Sequence, residues 1–180
     1  SEMRRVSLFI AMRLDGYIAD GKGNVNWLEG HSENEENKDV YSEFAKDIDT
    51  ILMGWNTYYQ IVTELSPNEW IYGEFTTYVI THNKHTSSEH IRFTNENPVS
   101  LVERLKQEKG KNIWICGGAN LVQQLINRDL IDYYYITLIP TLLGNGIRLF
   151  DNGENEIKLR LIGTQNYNGM VDLIYDRRDE

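Results

Sequence analysis

The sequence predicts an α/β protein of three layers (α/β/α), with a mixed, mainly parallel sheet and an antiparallel hairpin at its C-terminal end. Short apolar segments alternate with amphipathic helical ones through residues 6–139, and strands separated by helices pair in parallel through right-handed crossovers. Two strand-like segments, 157–167 and 170–175, then flank Asn168-Gly169, a strong hairpin signal. No repeat or linker interrupts the chain, so one domain over residues 3–178 is predicted.

Apolar segments rich in β-branched and aromatic residues predict six strands, over residues 6–12, 50–53, 77–81, 91–93, 112–116 and 133–139. After the first strand, the acidic segment 33–39 leads into a helix, because carboxylates favour the positive end of the helix dipole. The buried face of this helix is predicted to carry Val40, Tyr41, Phe44, Ala45 and Ile48.

Three further helices are predicted from their start and stop signals. Gly54 opens a short helix after the second strand. Asn97 is an N-cap with Pro98 at the first helical position, and Gly110 ends that helix. The last helix, over 119–127, has an apolar face of Leu121, Val122, Leu125 and Ile126.

Composition excludes several function classes. The net charge of −9 leaves no basic stripe to neutralise nucleic acid or an anionic membrane. No apolar segment is long enough to span a bilayer, and the first residues do not resemble a secretion signal. The single cysteine, Cys116, follows apolar residues and is predicted to be a buried thiol in a cytoplasmic protein. The four histidines have no metal-ligand spacing, so no metal is expected.

The segment 113–121 is the most informative part of the chain. It passes from a buried strand through Gly117-Gly118 directly into a helix. Glycine lets the backbone approach a ligand closely, and the helix N-terminus behind it suits a phosphate. A tight turn that needs positive φ is the alternative explanation.

Two other strand ends reach the same edge of the predicted sheet, where ligands of open α/β sheets bind. They are the segments 53–57 and 79–85, and with the Gly-Gly turn they could hold an extended ligand such as a dinucleotide. Neither the ordinary dinucleotide fingerprint nor a P-loop is present.

Four segments in this order resemble the dihydrofolate reductase-like superfamily, most closely the reductase domain of bifunctional riboflavin-biosynthesis proteins. Each segment is weak alone, but the ordered set spans most of the chain. They are Leu14-Asp15-Gly16-Tyr17-Ile18-Ala19, Leu52-Met53-Gly54 with Thr57-Tyr58, Ile115-Cys116-Gly117-Gly118-Ala119, and Ile139-Pro140-Thr141-Leu142-Leu143-Gly144-Asn145-Gly146 with Leu149-Phe150.

The resemblance implies a reduced nicotinamide cofactor, NADPH, with NADH as an alternative, and a cis peptide between Gly117 and Gly118. It places Gly54 and Thr57 near the adenosine-side phosphates, and Ala11 and Ile18 around the nicotinamide. The full set assigned to the cofactor is Ala11, Gly16, Ile18, Gly54, Trp55, Asn56, Thr57, Thr81, His82, Lys84, Cys116, Gly117, Gly118, Ala119, Asn120 and Leu121.

Two departures from the family concern cofactor choice and the substrate pocket. Relatives often have Arg after the glycine that matches Gly54, where it contacts the 2′-phosphate of NADPH; this chain has Trp55 and Asn56. Trp55 either stacks on adenine or covers the helix, and the cation could come from Lys84 with His82 or His85, or these residues form an ordinary turn. Arg13 stands where close relatives often have Ser, and is assigned to substrate binding.

A further departure concerns the proton that must accompany the hydride. Dihydrofolate reductases have an inward carboxylate on the first helix. Helical projection places Asn37 at that position, in line with Tyr41, and Asn37 cannot donate a carboxyl proton. Asp15 is the remaining acid, although a turn residue is an equal interpretation. Thr137 matches a strand threonine near the substrate in relatives, or is simply an inward strand residue.

Together these features predict a reductase that transfers hydride from NAD(P)H to a pteridine or ribosylaminopyrimidine substrate, as in riboflavin biosynthesis. Asp15, Tyr41 and Thr137 are assigned to catalysis, and Arg13 and Asn37 to substrate binding. True dihydrofolate reductase activity and a nucleotide-binding module that has lost catalysis are the alternatives. A homodimer is expected, as relatives are frequently dimers; residues 133–135 and the hairpin would supply the interface, or belong to the core.

Overall fold

The computed structural model describes residues 3–18, 35–153 and 155–178, with residues 35–39 described by their backbone alone. Its strands are β1 (Val6–Arg13), β2 (Ile48–Gly54), β3 (Thr76–Ile80), β4 (Ile91–Thr94), β5 (Asn112–Gly117), β6 (Tyr133–Ile139), β7 (Leu159–Tyr167) and β8 (Met170–Arg177). They form one sheet in the order β4-β3-β2-β5-β1-β6-β8-β7. The first six pair in parallel, and β8 pairs antiparallel with both β6 and β7. The predicted mixed sheet is therefore confirmed.

Helices cover both faces of the sheet. They are α1 (Glu35–Ala45), α2 (Trp55–Gln60), which continues into a π-helical turn (Ile61–Leu65), α3 (Pro98–Gln107) and α4 (Ala119–Asn127). On one face, α3 and α4 pack against a cluster that includes Leu8 and Ile115. On the other, α1 and α2 pack around Phe9 and Trp114. Alternate residues of each central strand supply the two clusters, which is why these strands are apolar throughout. No helix among the described residues is long and apolar enough to cross a membrane.

Local turn signals are confirmed where they were strongest. Asn97 caps α3, because its side chain accepts hydrogen bonds from the N–H groups of Val99 and Ser100. The β7–β8 turn has positive φ at both Asn168 (52°) and Gly169 (79°). Positive φ at both central residues is the requirement of the hairpin turn that an Asn-Gly pair favours.

Several predicted boundaries are wrong, and three of them show why. Ile48 does not lie on the buried face of α1, because the helix ends at Ala45 and Ile48 opens β2 opposite Asn112. Thr81 follows β3 rather than ending it, although its N–H still bonds to Thr94 O at 2.9 Å. Strand β7 begins at residue 159, not 157. Each error lies at an element end, where tertiary pairing rather than local preference decides.

Candidate active site

The candidate site is a cleft of about 870 Å³ at the edge where the parallel strands end. It lies between the first turns of α2, α3 and α4, and the loop after β1 closes one end. Ten residues assigned to the cofactor line it: Ile18, Gly54, Trp55, Asn56, Thr57, His82, Gly118, Ala119, Asn120 and Leu121. The three strand ends singled out in the sequence therefore converge on one cavity.

Two glycine turns form the middle of the cleft. The peptide bond between Gly117 and Gly118 is cis, and Gly117 has a φ of 122°, which favours glycine. A Cβ built on Gly54 would lie 3.8 Å from Gly118 N, so the two turns are in close contact. Gly54 and Gly118 are the N-caps of α2 and α4 and supply no capping side chain. Gly118 therefore has no side chain that could accept a hydrogen bond from the N–H groups in the first turn of α4.

The loop after β1 closes the cleft on one side by pairing with the segment after β6. Ile18 N–H donates to Ile147 O at 2.8 Å, and both side chains line the cavity. Leu149 N–H donates to Gly16 O at 2.9 Å. Two of the segments that carried the family resemblance thus meet in space, and Gly16 acts through its backbone.

Asp15 anchors this loop. Its Oδ2 accepts from Gly144 N–H at 2.9 Å, and hydrogen bonds from Gly144 and Leu143, with Arg148 nearby, hold the pKa of Asp15 below its ordinary value. The Oδ1 atom is buried without a hydrogen-bond partner. A carboxyl with a lowered pKa is a poor proton donor, so these contacts favour the turn interpretation of Asp15 over the catalytic one.

Trp55 lines the cleft at the start of α2 and packs against aromatic rings behind it. The Trp55 ring stacks on His85 with centroids 4.4 Å apart, and Phe93 lies 6.3 Å from it. Of the basic residues predicted for the neighbouring loop, His82 lines the cleft, whereas Lys84 is exposed and outside its lining.

Four residues assigned to the cofactor lie outside the cleft lining besides Gly16 and Lys84. Ala11, Thr81 and Cys116 are buried, and Gly117 contributes through its turn. Thr81 supports the loop, since its Oγ1 accepts from Asn83 N–H at 3.2 Å. Cys116 packs in the Phe9 cluster, where burial raises the pKa of its thiol. A buried, protonated thiol is inert, as the sequence predicted.

The other assigned residues are distributed over the α1 face of the sheet. Thr137 is buried, and its hydroxyl donates to Asp172 Oδ1 at 2.7 Å. Arg13 ends β1, and its Nε is buried without a hydrogen-bond partner. Tyr41 lines a separate cavity of about 630 Å³ with Lys46 and Lys111 rather than the cleft. The side chain of Asn37 lies outside the described residues.

Sequence reasoning missed several residues of the site. The loop after β4 contributes to the cleft, including Glu96, which bonds Arg104 at 3.0 Å. Because β4 is parallel to its neighbour β3, it ends at the same edge of the sheet, and this is the signal that could have located these residues. Also missed were Gln60, Ile80, Asn95, Asn97, Pro98, Gln124 and Ile147. Among the described residues, no group of three or more His, Cys, Asp or Glu side chains is placed to hold a metal ion.

The RibD C-terminal domain model matches residues 4–172, nearly the whole chain. The chain belongs to the RibD C-terminal domain family. The uncharacterized protein YwjB of Bacillus subtilis (strain 168) is 42% identical over 177 residues, which cover 97% of this chain and 98% of YwjB.

Solved structures of other proteins share the fold of this chain. A putative riboflavin biosynthesis protein from Shewanella sp. PV-4 has a TM-score of 0.77 at 24% identity, over 97% of this chain and 99% of that one. Dihydrofolate reductase from Enterococcus faecalis, complexed with NADP(H), has a TM-score of 0.66 at 18% identity, over 97% of each chain. The RibD family member described here therefore has the dihydrofolate reductase-like fold that its sequence predicts.

Proposed function

We propose that this chain is a reductase that takes hydride from NADPH and delivers it to a ribosylaminopyrimidine phosphate. The observation that carries the proposal is the pair of glycine turns at the centre of the cleft. A Cβ on Gly118 would lie 3.8 Å from Thr57 Oγ1 and occupy the space between the turns, so the bare backbone leaves room for a ligand.

The residues of the cleft fit a dinucleotide. Ala119, Asn120 and Leu121 begin α4, whose N-terminal N–H groups suit a diphosphate. Ile18 and Ile147 give an apolar end to the same cavity, suited to a nicotinamide ring. When bound, the reduced nicotinamide supplies a hydride; the protein must bind the substrate, orient it and provide a proton.

Arg13 supports an anionic substrate. It follows Ala11 by two residues on β1, so both belong to the face of the sheet that includes Thr137, the partner of Ala11 on β6. Its buried Nε has no hydrogen-bond partner, which is costly for a guanidinium unless a ligand supplies the acceptor. A phosphate on the substrate would do so.

The test is to follow loss of reduced-cofactor absorbance with 5-amino-6-(5-phosphoribosylamino)uracil, and separately with dihydrofolate. Turnover of the first substrate supports the proposal, and turnover of dihydrofolate alone would replace it. Quenching of tryptophan fluorescence by NADPH without turnover would identify a binding module. In a thermal-shift assay, NADPH at 100 times its dissociation constant would stabilise the fold by about 2.7 kcal/mol.

We also propose a cytoplasmic homodimer. Leu161 and Ile162 on the edge strand β7 are 56% and 47% exposed, and Val171 on β8 is 37% exposed. Exposed apolar side chains on an edge strand favour a partner surface. The cytoplasmic location has a separate basis, since the single free cysteine is consistent with a reducing compartment. Light scattering during gel filtration tests the dimer, and Leu161→Glu should shift it towards monomer.

A further inference from the structure

Asp172 is a fully buried carboxylate in strand β8. Its Oδ1 accepts from Thr137 at 2.7 Å and Tyr167 at 3.2 Å; its Oδ2 accepts from Tyr135 at 2.6 Å and Gln165 at 2.9 Å. None of the ion pairs among the described residues involves it. Burying a carboxylate without a cation is expensive, and the four donated hydrogen bonds offset that cost.

The position of Asp172 connects two parts of the molecule. Its neighbour in the sheet is Thr137, which in turn lies beside Ala11, two residues before the end of β1. The Thr137 hydroxyl therefore stands near the edge where the strands end, on the face assigned to the substrate.

On its other side, Asp172 reaches a second cavity. Tyr135 OH and Gln165 both bond Asp172, and Gln165 Nε2 also donates to Tyr135 OH at 2.6 Å. Tyr135 and Gln165 line a cavity of about 540 Å³ between α1 and the sheet. A continuous series of hydrogen bonds therefore runs from this cavity through Tyr135 and Asp172 to Thr137.

We propose that the Asp172 carboxylate is a positioning residue that takes up a proton from the cavity and passes it through Thr137 to the substrate. The proposal rests on the proposed reductase function, in which the substrate carbon receives a hydride and its neighbouring oxygen or nitrogen needs a proton. Once protonated, Asp172 donates to Thr137 Oγ1 instead of accepting from it, and the Thr137 hydroxyl hydrogen faces the substrate. The Thr137 O–H bond breaks as the new bond to hydrogen forms on the substrate, and the Asp172 proton passes to Thr137 Oγ1. Water in the cavity then reprotonates Asp172 through Tyr135, so that one proton from solvent is consumed per turnover.

Other ionisable groups face this path and contribute to the pH dependence of turnover. Tyr135 and Tyr167 lie on the neighbouring strands, and burial, together with the bond to Asp172, raises the pKa of Tyr135. Around the cavity are Arg5, Glu43 and Asp47. Every profile must therefore be compared with that of Asp172→Asn.

The first measurement needs neither cofactor nor substrate. Infrared difference spectra of the free protein, taken as pH is lowered while near-ultraviolet circular dichroism shows an intact fold, should contain a protonated-carboxyl band that Asp172→Asn lacks. Hydrogen–deuterium exchange should shift this band, and the shift should be slower in Tyr135→Phe than in the unaltered chain. If the two proteins give the same spectra, Asp172 takes up no proton and the relay is overturned.

The second measurement uses turnover. Asp172→Asn and Thr137→Val should lower kcat about a hundredfold or more with little change in KM, and should lose the solvent isotope effect. Thr137→Ser keeps the hydroxyl and should retain both kcat and the solvent isotope effect. Tyr134→Phe, on the opposite face of the sheet, is the matched control.

The two proposals fail in different ways. If the unaltered chain turns over no candidate substrate, the reductase proposal fails and the infrared spectra alone decide whether Asp172 exchanges a proton with the cavity. If the unaltered chain is active and Asp172→Asn keeps its kcat and isotope effect, the relay is overturned and the reductase remains. Circular dichroism of each variant excludes misfolding as the cause of a loss.

Discussion

Trp55, which lines the cleft, stacks on His85, with ring centroids 4.4 Å apart and planes inclined by 17°. Trp55 begins α2 directly after β2, and His85 lies in the loop after the neighbouring strand β3, so the contact joins α2 to that loop. Trp55 follows Gly54, where relatives often have an arginine. Trp55 therefore places a flat aromatic surface where the family resemblance implies the adenosine half of the cofactor.

We expect Trp55→Ala to weaken NADPH binding by about 1–3 kcal/mol, because stacking of a base on an aromatic side chain contributes about that much. Titration calorimetry measures the change. Tyr59→Ala is the control, since Tyr59 is an exposed aromatic residue of the same helix outside the cleft lining. Equal affinities for the Trp55 variant and the unaltered chain would instead assign Trp55 to covering the helix.

Replacing Gly117 and Gly118 by alanine, one at a time, should separate effects on stability from effects on NADPH affinity. Gly118 has a φ of −79°, and its added Cβ meets only ordinary contacts, so Gly118→Ala should change stability by less than about 0.5 kcal/mol yet weaken NADPH at least tenfold. Gly117 has a φ of 122°, where a side chain costs about 1–3 kcal/mol, so Gly117→Ala should lower the melting temperature. Thermal denaturation and calorimetry of both variants test this. A Gly118→Ala protein with unchanged affinity would place the cofactor elsewhere.

Features encoded locally could be predicted from the sequence. The Gly117-Gly118 turn, the Asn97 cap and the Asn168-Gly169 hairpin each depend on a few neighbouring residues whose backbone requirements are specific. Hydrophobic periodicity likewise predicted the layers, because burial on one or two faces of a strand gives a distinct pattern. The cleft could be located to one edge of the sheet for the same reason.

Features that depend on strand order could not be predicted. Asp172 meets Thr137 only because β8 folds back beside β6, and nothing in the residues near Asp172 indicates that register. Glu96 enters the cleft because β4 is the outer strand of the parallel half, which places its final loop beside α4. Ile48 was misassigned because an apolar residue at this point fits either the end of a helix or the start of a strand. Only its pairing with Asn112 assigns it to β2.

Cofactor preference should depend on Glu96. Its carboxylate lines the cleft and accepts from Arg104, while the described lining includes His82 as the single basic side chain. Replacing Glu96 by Gln removes a negative charge that opposes a 2′-phosphate. We expect the affinity for NADPH to rise about two- to fivefold relative to NADH, as for a weakly buried charge pair.

Glu108→Gln is the matched control for Glu96. Glu108 bonds the same Arg104 at 3.1 Å but lies outside the cleft lining. Its variant should leave the ratio of NADPH to NADH affinity unchanged in the same fluorescence titration. A similar change in both variants would mean that Arg104, rather than the Glu96 charge, sets the preference. Lys84→Ala should lower NADPH affinity if that side chain supplies the cation.

Stability should fall in acid partly through Asp49. Burial alone raises the pKa of Asp49, but hydrogen bonds from Lys111 N–H, Thr50 and Arg4 outweigh it and hold the pKa below its ordinary value. The ionised form is therefore favoured in the folded state. This contribution is fully present above the unfolded pKa of about 4 and is lost as pH falls through the lower folded value.

We expect Asp49→Asn to lower the melting temperature at neutral pH, because Arg4, whose side chain is 5% exposed, loses its ion pair at 2.7 Å. The difference from the unaltered chain should shrink as pH falls below about 4, since the unaltered carboxyl is then protonated as well. Melting curves recorded from neutral to acid pH measure this. Parallel curves over the whole range would show that Asp49 has the same pKa in the folded and unfolded states, and that its bonds to Arg4 and Lys111 do not depend on its charge.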